Sequence, residues 1–149
     1  MKYSEKISNQ LNELLEKNYD AEKGYINSAN NVESTRLKTF FKNRAAERSQ
    51  FAKEIRTEIL SYGQIPEDSG SFKGTMHRNW MSLKSLFSSN DEEAILEEAI
   101  RGEKASYDEY CEILNENEFA PTTEKMLDKQ KQQIQAAINS LKVHEELVS

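Results

Sequence analysis

Proline and glycine are scarce: the chain has 2 Pro and 5 Gly in 149 residues. Long windows therefore carry no helix breaker, and Glu, Lys, Leu, Ala, Gln and Arg, which fill them, all favour helix. Cysteine occurs once, as Cys111. It permits no disulfide within the chain and suits a reducing compartment. Long apolar runs are missing too, and the mean hydropathy is -0.84, so no membrane span is expected. The opening MKYSEKISNQLNELLEK is amphipathic and acidic and lacks the apolar stretch of a secretory signal. A basic stripe is absent as well: 20 basic residues stand against 26 acidic ones, a formal net charge of -6. Nucleic-acid binding, which needs cations to neutralise phosphates, is not expected. These absences describe a soluble, cytoplasmic protein, and 149 residues suit a single domain spanning 1–149.

What is there is helical periodicity, and the fold class it predicts is all-α, a four-helix bundle. The first helix should run from a cap at Ser4 to about Ala29, with Ile7, Leu11, Leu14, Leu15, Ala21, Tyr25 and Ala29 on one stripe. Ser34 is the expected cap of a second helix that carries Leu37, Phe40, Phe41, Phe51, Ile55 and Ile59 to about Tyr62. Gly63 and Pro66 should stop it, since glycine tolerates a left-handed residue and proline cannot continue a helix. Met76, Trp80, Leu83 and Phe87 predict a short extra helix over 75–87, in the crossover between the second and third long helices. Ser89 with Glu92 forms a potential capping box for the third, which should reach Asn115. The fourth should open at Thr122 or Thr123 and carry Met126, Leu127, Ile134, Ala137, Ile138, Leu141 and Val148.

Two acids fall inside these stripes. Glu22 lies on the line of Leu11, Leu15 and Ala29, and Glu103 lies amid Leu96, Ala99, Ile100, Tyr107, Tyr110 and Leu114. Both are expected in the interior, as a matched pair on the first and third helices. A buried carboxylate costs several kcal/mol unless it is paired, protonated or bound to a cation, so the pair needs a reason. Registering Phe51 and Ile55 on Ile134 and Ile138 places Glu47 over Gln130 and Gln50 over Gln133. Glu47 and Gln130 could then approach the same interior point.

Asp20-Ala21-Glu22-Lys23-Gly24-Tyr25, the run Glu47 to Ile55, Gly70-Ser71, His77-Arg78-Asn79-Trp80, and Gly102-Glu103 followed by Tyr110 together resemble the ferritin-like superfamily. More closely they resemble an uncharacterised bacterial family of four-helix-bundle proteins. Ferritin-like di-iron proteins place a Glu on two helices and a Glu-x-x-His pair on the other two. The resemblance implies ligand positions at Glu22, Glu47 and Glu103, with Gln130 in the place of the fourth carboxylate and Gln50 and Gln133 in the places of the histidines. A full di-iron centre is not expected on this donor set. Carboxylate and amide oxygens could still hold one divalent Fe, Mn or Mg.

A competing reading needs no metal. Arg44 and Arg48 lie on the apolar face of the second helix and would neutralise both acids, with tyrosine hydroxyls, Tyr25 and Tyr107 foremost, completing a buried polar network. The expected function on this reading is a non-catalytic bundle, structural, stress-related or partner-binding, without a cofactor. The alternative is a degenerate metal-binding protein or oxidase using Glu22, Glu47 and Glu103. His77, His144 and Cys111 read as surface or core residues rather than as ligands or nucleophiles. Exposed apolar positions on long helices leave room for a homodimer.

Overall fold

The computed structural model describes residues 2–67 and 91–148. Within them the chain forms four helices, α1 (Tyr3–Asn31), α2 (Thr35–Ser61), α3 (Glu92–Glu116) and α4 (Pro121–Val148), and the protein is an all-α four-helix bundle. The short helix expected over 75–87, with His77 and Trp80, lies outside the described residues, as does Ser89. No helix among the described residues is long and apolar enough to cross a membrane.

Local chemistry sets the helix ends. Ser34 caps α2, its Oγ accepting from Leu37 N at 3.3 Å. At the far end Gly63 takes φ 77°, its N–H donating to Leu60 O (2.9 Å) while Gln64 N–H donates to Ile59 O (3.2 Å). This paired arrangement is a Schellman end, which requires one left-handed residue and so favours glycine. The cap of α3 is Asp91, whose carboxylate accepts from Ala94 N at 3.0 Å, two positions later than the expected Ser89. Aspartate adds a negative charge beside the positive end of the helix dipole, which a serine hydroxyl lacks. α1 begins at Tyr3, ahead of the expected cap Ser4, and Lys2 holds the cap position with no side-chain hydrogen bond. Pro121 opens α4, a position where the missing N–H leaves nothing unsatisfied.

Each helix buries one seam of residues at alternating steps of three and four. In α1 it runs Leu11, Leu14, Asn18, Ala21, Tyr25, Ser28. In α2 it runs Phe41, Ala45, Arg48, Ala52, Ile55, Ile59. Leu96, Ala99, Glu103, Ser106, Tyr110, Ile113 form that of α3, and Thr123, Leu127, Gln130, Ile134, Ala137, Leu141 that of α4. A mean step of 3.5 keeps the seam on the partner along the whole length of a gently supercoiled helix. Each fully buried Leu or Ile on it contributes roughly 1.5–3 kcal/mol. Among these apolar lines, every helix carries one long polar side chain: Asn18, Arg48, Glu103 and Gln130, all 3% exposed or less.

The helices pair as two hairpins, α1 with α2 and α3 with α4, which then pack through α1 against α3 and α2 against α4. Asn18 meets Tyr110 and Tyr25 meets Glu103, so α1 and α3 are antiparallel. Thr123 Oγ1 donates to Glu58 Oε2 at 2.7 Å, tying the start of α4 to the end of α2. The Tyr62 hydroxyl accepts from Ala120 N (3.1 Å) and bonds Thr123 Oγ1 (3.0 Å) at the same end. It follows that α2 and α3 run in the same direction, and that α2 ends and α3 begins at opposite ends of the bundle. A 27-residue α2 separates those ends by about 40 Å. The return begins in Gly63–Glu67: Glu67 already lies on α1, its N–H donating to Asn12 Oδ1 at 3.0 Å.

Candidate functional site

The four polar seam residues meet at mid-bundle. Glu103 Oε1 accepts from the Tyr25 hydroxyl at 2.7 Å and from Arg48 Nη2 at 2.9 Å. Arg48 Nη1 donates to Asn18 Oδ1 at 2.8 Å. The Asn18 amide donates to Leu14 O (2.8 Å) and to the Tyr110 hydroxyl (3.0 Å), which in turn donates to Gln130 Oε1 at 2.6 Å. Gln130 Nε2 closes the run on Glu54 Oε1 (2.9 Å) and Phe51 O (3.3 Å). One connected line of hydrogen bonds thus crosses all four helices, with each group used in its own sense as donor or acceptor.

The electrostatics are those of an internal ion pair. Arg48 is 3% exposed and Glu103 1%. Burial alone would disfavour the guanidinium charge, but Glu103 and the two tyrosines outweigh it and hold Arg48 above its ordinary value. Burial, reinforced by the neighbouring Glu103 charge, pushes Tyr25 well above its ordinary range, and burial likewise raises Tyr110. Both phenols therefore stay protonated and serve as donors. A charge-assisted pair of this kind is favourable only while both ends stay satisfied. Glu103 Oε2 is the exception, buried with no hydrogen-bond partner among the described residues.

The residues expected to act together are placed unequally. Glu103, Gln130, Arg48 and Tyr25 converge, whereas the matched burial of Glu22 and Glu103 does not hold. Glu22 is only half-buried; desolvation raises its carboxyl, and Lys53 of α2 pulls it back. The reason is angular: the α1 seam passes through Ala21 and Tyr25, which leaves Glu22 on its flank. Glu47 is half-buried on the flank of α2, its carboxyl raised by desolvation and held by Arg44 at 2.8 Å. Arg44 is thus engaged with Glu47 rather than with Glu22 or Glu103, and it lies over the Phe40 ring at 5.7 Å. Tyr107 stands outside the hydrogen-bonded line, with Lys131 Nζ 5.9 Å from its ring; Tyr110, one turn further on, takes the interior position.

Of the donors the metal reading names, Glu103 Oε1 and Gln130 are bonded within the line, Glu47 is paired with Arg44, and Glu22 stands on the flank of its helix. Among the described residues no three His, Cys, Asp or Glu side chains gather so as to hold a metal ion. Cys111 is a partly buried free thiol, and the His144 ring packs on Phe40 with centroids 4.1 Å apart. Asn18 and Glu54 take part in the line without having been singled out from the sequence. Asn18 carried a signal, being a polar residue on a buried three-four spacing. Glu54 carried none, because it reaches Gln130 from a half-buried site.

The model of a family described as a domain of unknown function, DUF2383, matches residues 6–116. That range covers α1 to the end of α3 and every member of the polar line but Gln130. None of the curated proteins compared matches the chain.

Proposed function

From a chain that belongs to the DUF2383 family, we propose a non-catalytic, ferritin-like bundle in which the Arg48 guanidinium is the interior cation. The observation that carries this reading is the bonding of Arg48 to Glu103 at 2.9 Å and to Asn18 at 2.8 Å. The positive charge that a carboxylate in such a core needs is supplied by the chain itself. Two antiparallel hairpins joined across the length of the bundle support the ferritin-like part of the reading, because one long crossover is the connection that ferritin-like folds use. A bundle of this kind acts through its surface, as a structural, stress-related or partner-binding component, and the partner includes a second copy of the chain.

The competing reading, a metal-binding protein or oxidase using Glu22, Glu47 and Glu103, draws on one observation, the unpartnered Glu103 Oε2. For a cation to take that oxygen together with Glu47, Arg44 would have to leave Glu47, and Glu22 would have to turn inward from its flank. Elemental analysis of protein purified without chelator separates the two. The expected result is no divalent metal in stoichiometric amount, before or after incubation with Fe²⁺, Mn²⁺ or Mg²⁺. One metal per chain, abolished by Glu103→Gln, would overturn the proposal.

A further inference from the structure

The inner side of α4 is the buried seam from Thr123 to Leu141. On the side away from that seam Ala136, Ser140, Val143 and Leu147 stand exposed. They are four, three and four residues apart, the same alternating step that the buried seams use. Val143 is 56% and Leu147 68% exposed. Among the described residues they are the one pair of exposed large apolar side chains set a turn apart on one helix face. The helix is also uncharged where this face begins: Gln132 to Leu141 is ten residues without Asp, Glu, Lys or Arg, the longest such run in a chain that is 31% charged. The amides beside Ala136 and Ser140 are tied along the helix, Gln132 to Asp128 at 2.9 Å and Gln135 to Asn139 at 3.2 Å, which leaves the two small residues as shallow recesses.

We propose that this face of α4 is the contact of a homodimer, in which the α4 helices of two copies pack antiparallel about a two-fold axis passing between Leu141 and Lys142. This rests on the reading of the bundle as a protein that acts through its surface, and it names the partner. Fit singles out a second copy. With the axis at that point Leu147 faces the partner's Ala136 and Val143 faces the partner's Ser140, and the symmetry repeats both contacts. Each large side chain thus meets a small one, in four layers spread over about 16 Å of helix. Shifted by one heptad either way, large would meet large or small would meet small. Charge argues for the same face. Each copy carries a net charge of -6, so two copies repel wherever their carboxylates meet, and an uncharged face is where approach costs least. Lys142 and Glu145 line the groove toward α3 with Glu97 and Lys104, outside the contact. Four layers of this size fall short of the roughly 1,200–2,000 Å² of a standard interface. The dimer is therefore a weak one, half-formed at about 10 μM to 1 mM.

Sedimentation equilibrium of the whole protein over that range reads the association. The expected mass rises from 17.2 kDa toward twice that value. Ser140→Lys and Val143→Lys should each weaken the dimer about tenfold or more, because the symmetry sets the new charges close together. Both positions are exposed, so both variants should fold, and helical circular dichroism checks that they do. A mass that stays monomeric up to about 1 mM would overturn the proposal. So would a dimer that neither substitution weakens. Cross-linking reads the alignment. In a Cys111→Ser background, Ala136→Cys protein mixed with Leu147→Cys protein should form a disulfide-linked pair under diamide. Neither should do so alone, because like positions lie about 16 Å apart in the antiparallel pair. A disulfide formed by either protein alone would overturn the antiparallel contact. A monomer free of metal would overturn the dimer and leave the Arg48 reading standing; a dimer holding one metal per chain would do the reverse.

Discussion

Replacing Arg48 with methionine keeps an unbranched stem of comparable length and deletes the charge. The carboxylate of Glu103, 1% exposed, would then keep only the Tyr25 hydroxyl as a donor. Removing one partner of a buried ion pair costs roughly 3–5 kcal/mol, because the remaining charge is neither solvated nor matched. Asn18 Oδ1 loses its donor as well, a further penalty of about 1–3 kcal/mol if nothing replaces it. The Asn18 amide can turn, so the expected loss for Arg48→Met stays at about 3–5 kcal/mol. Against a total stability of roughly 5–15 kcal/mol this is a large share. At about 2–4 °C per kcal/mol for a chain of this size, Tm should fall by roughly 6–20 °C. Glu103→Leu should cost a similar amount by stranding Arg48. The double variant Arg48→Met/Glu103→Leu removes both charges and should recover to within about 2 kcal/mol of the parent, since an apolar replacement of a buried pair is often neutral. Urea melts followed by helical circular dichroism close the cycle. An Arg48→Met protein that melts with the parent, or a double variant showing the sum of the single losses, would refute the claim that the two charges neutralise each other.

Two further substitutions test neighbouring statements. Tyr110→Phe removes a hydroxyl that accepts from Asn18 and donates to Gln130, and should cost about 1–3 kcal/mol. Tyr107→Phe should change stability by less than about 0.5 kcal/mol, and equal effects in parallel melts would contradict the assignment of Tyr110 to the interior. Gly63→Ala should destabilise by about 1–2 kcal/mol, all of it backbone strain at φ 77°, because an added Cβ meets nothing within 4 Å. Denaturant midpoints check this, and an unchanged midpoint would mean that the turn relaxes.

Much of this architecture was legible from residue pattern, and the misjudged residues share a cause. Apolar spacing marked all four helices, and Ser34 and Gly63 marked the ends of α2, because those features are local. Interior polar residues are harder, because a side chain one position off the seam is rotated by only a fraction of a turn. Glu22 shares a stripe with Leu11 and Leu15 at a coarse 3.6-residue period. It stands on the flank of the Ala21–Tyr25 seam, seven residues from the buried Leu15 and from the buried Ala29, so spacing alone does not tell it from them. Tyr107 and Arg44 likewise stand one position off their seams, beside Ser106 and Ala45. Glu103 and Arg48 were read correctly as opposite charges on buried faces. What bonds to what, including the relay through Asn18, follows from how α1 and α3 meet, which no single helix encodes.

The polar layer also bears on how the two hairpins find each other. Slid past one another by one heptad, about 10 Å, they would still set leucine and isoleucine against aliphatic neighbours. Apolar burial alone therefore distinguishes such alignments poorly. In the slipped form, though, Arg48 would face an aliphatic level and Glu103 would lose its cation, and each stranded charge would cost several kcal/mol. The layer of Asn18, Arg48, Glu103 and Gln130 thus works as a key cut for a single depth of insertion. It contributes little to how tightly the hairpins hold and much to where they stop.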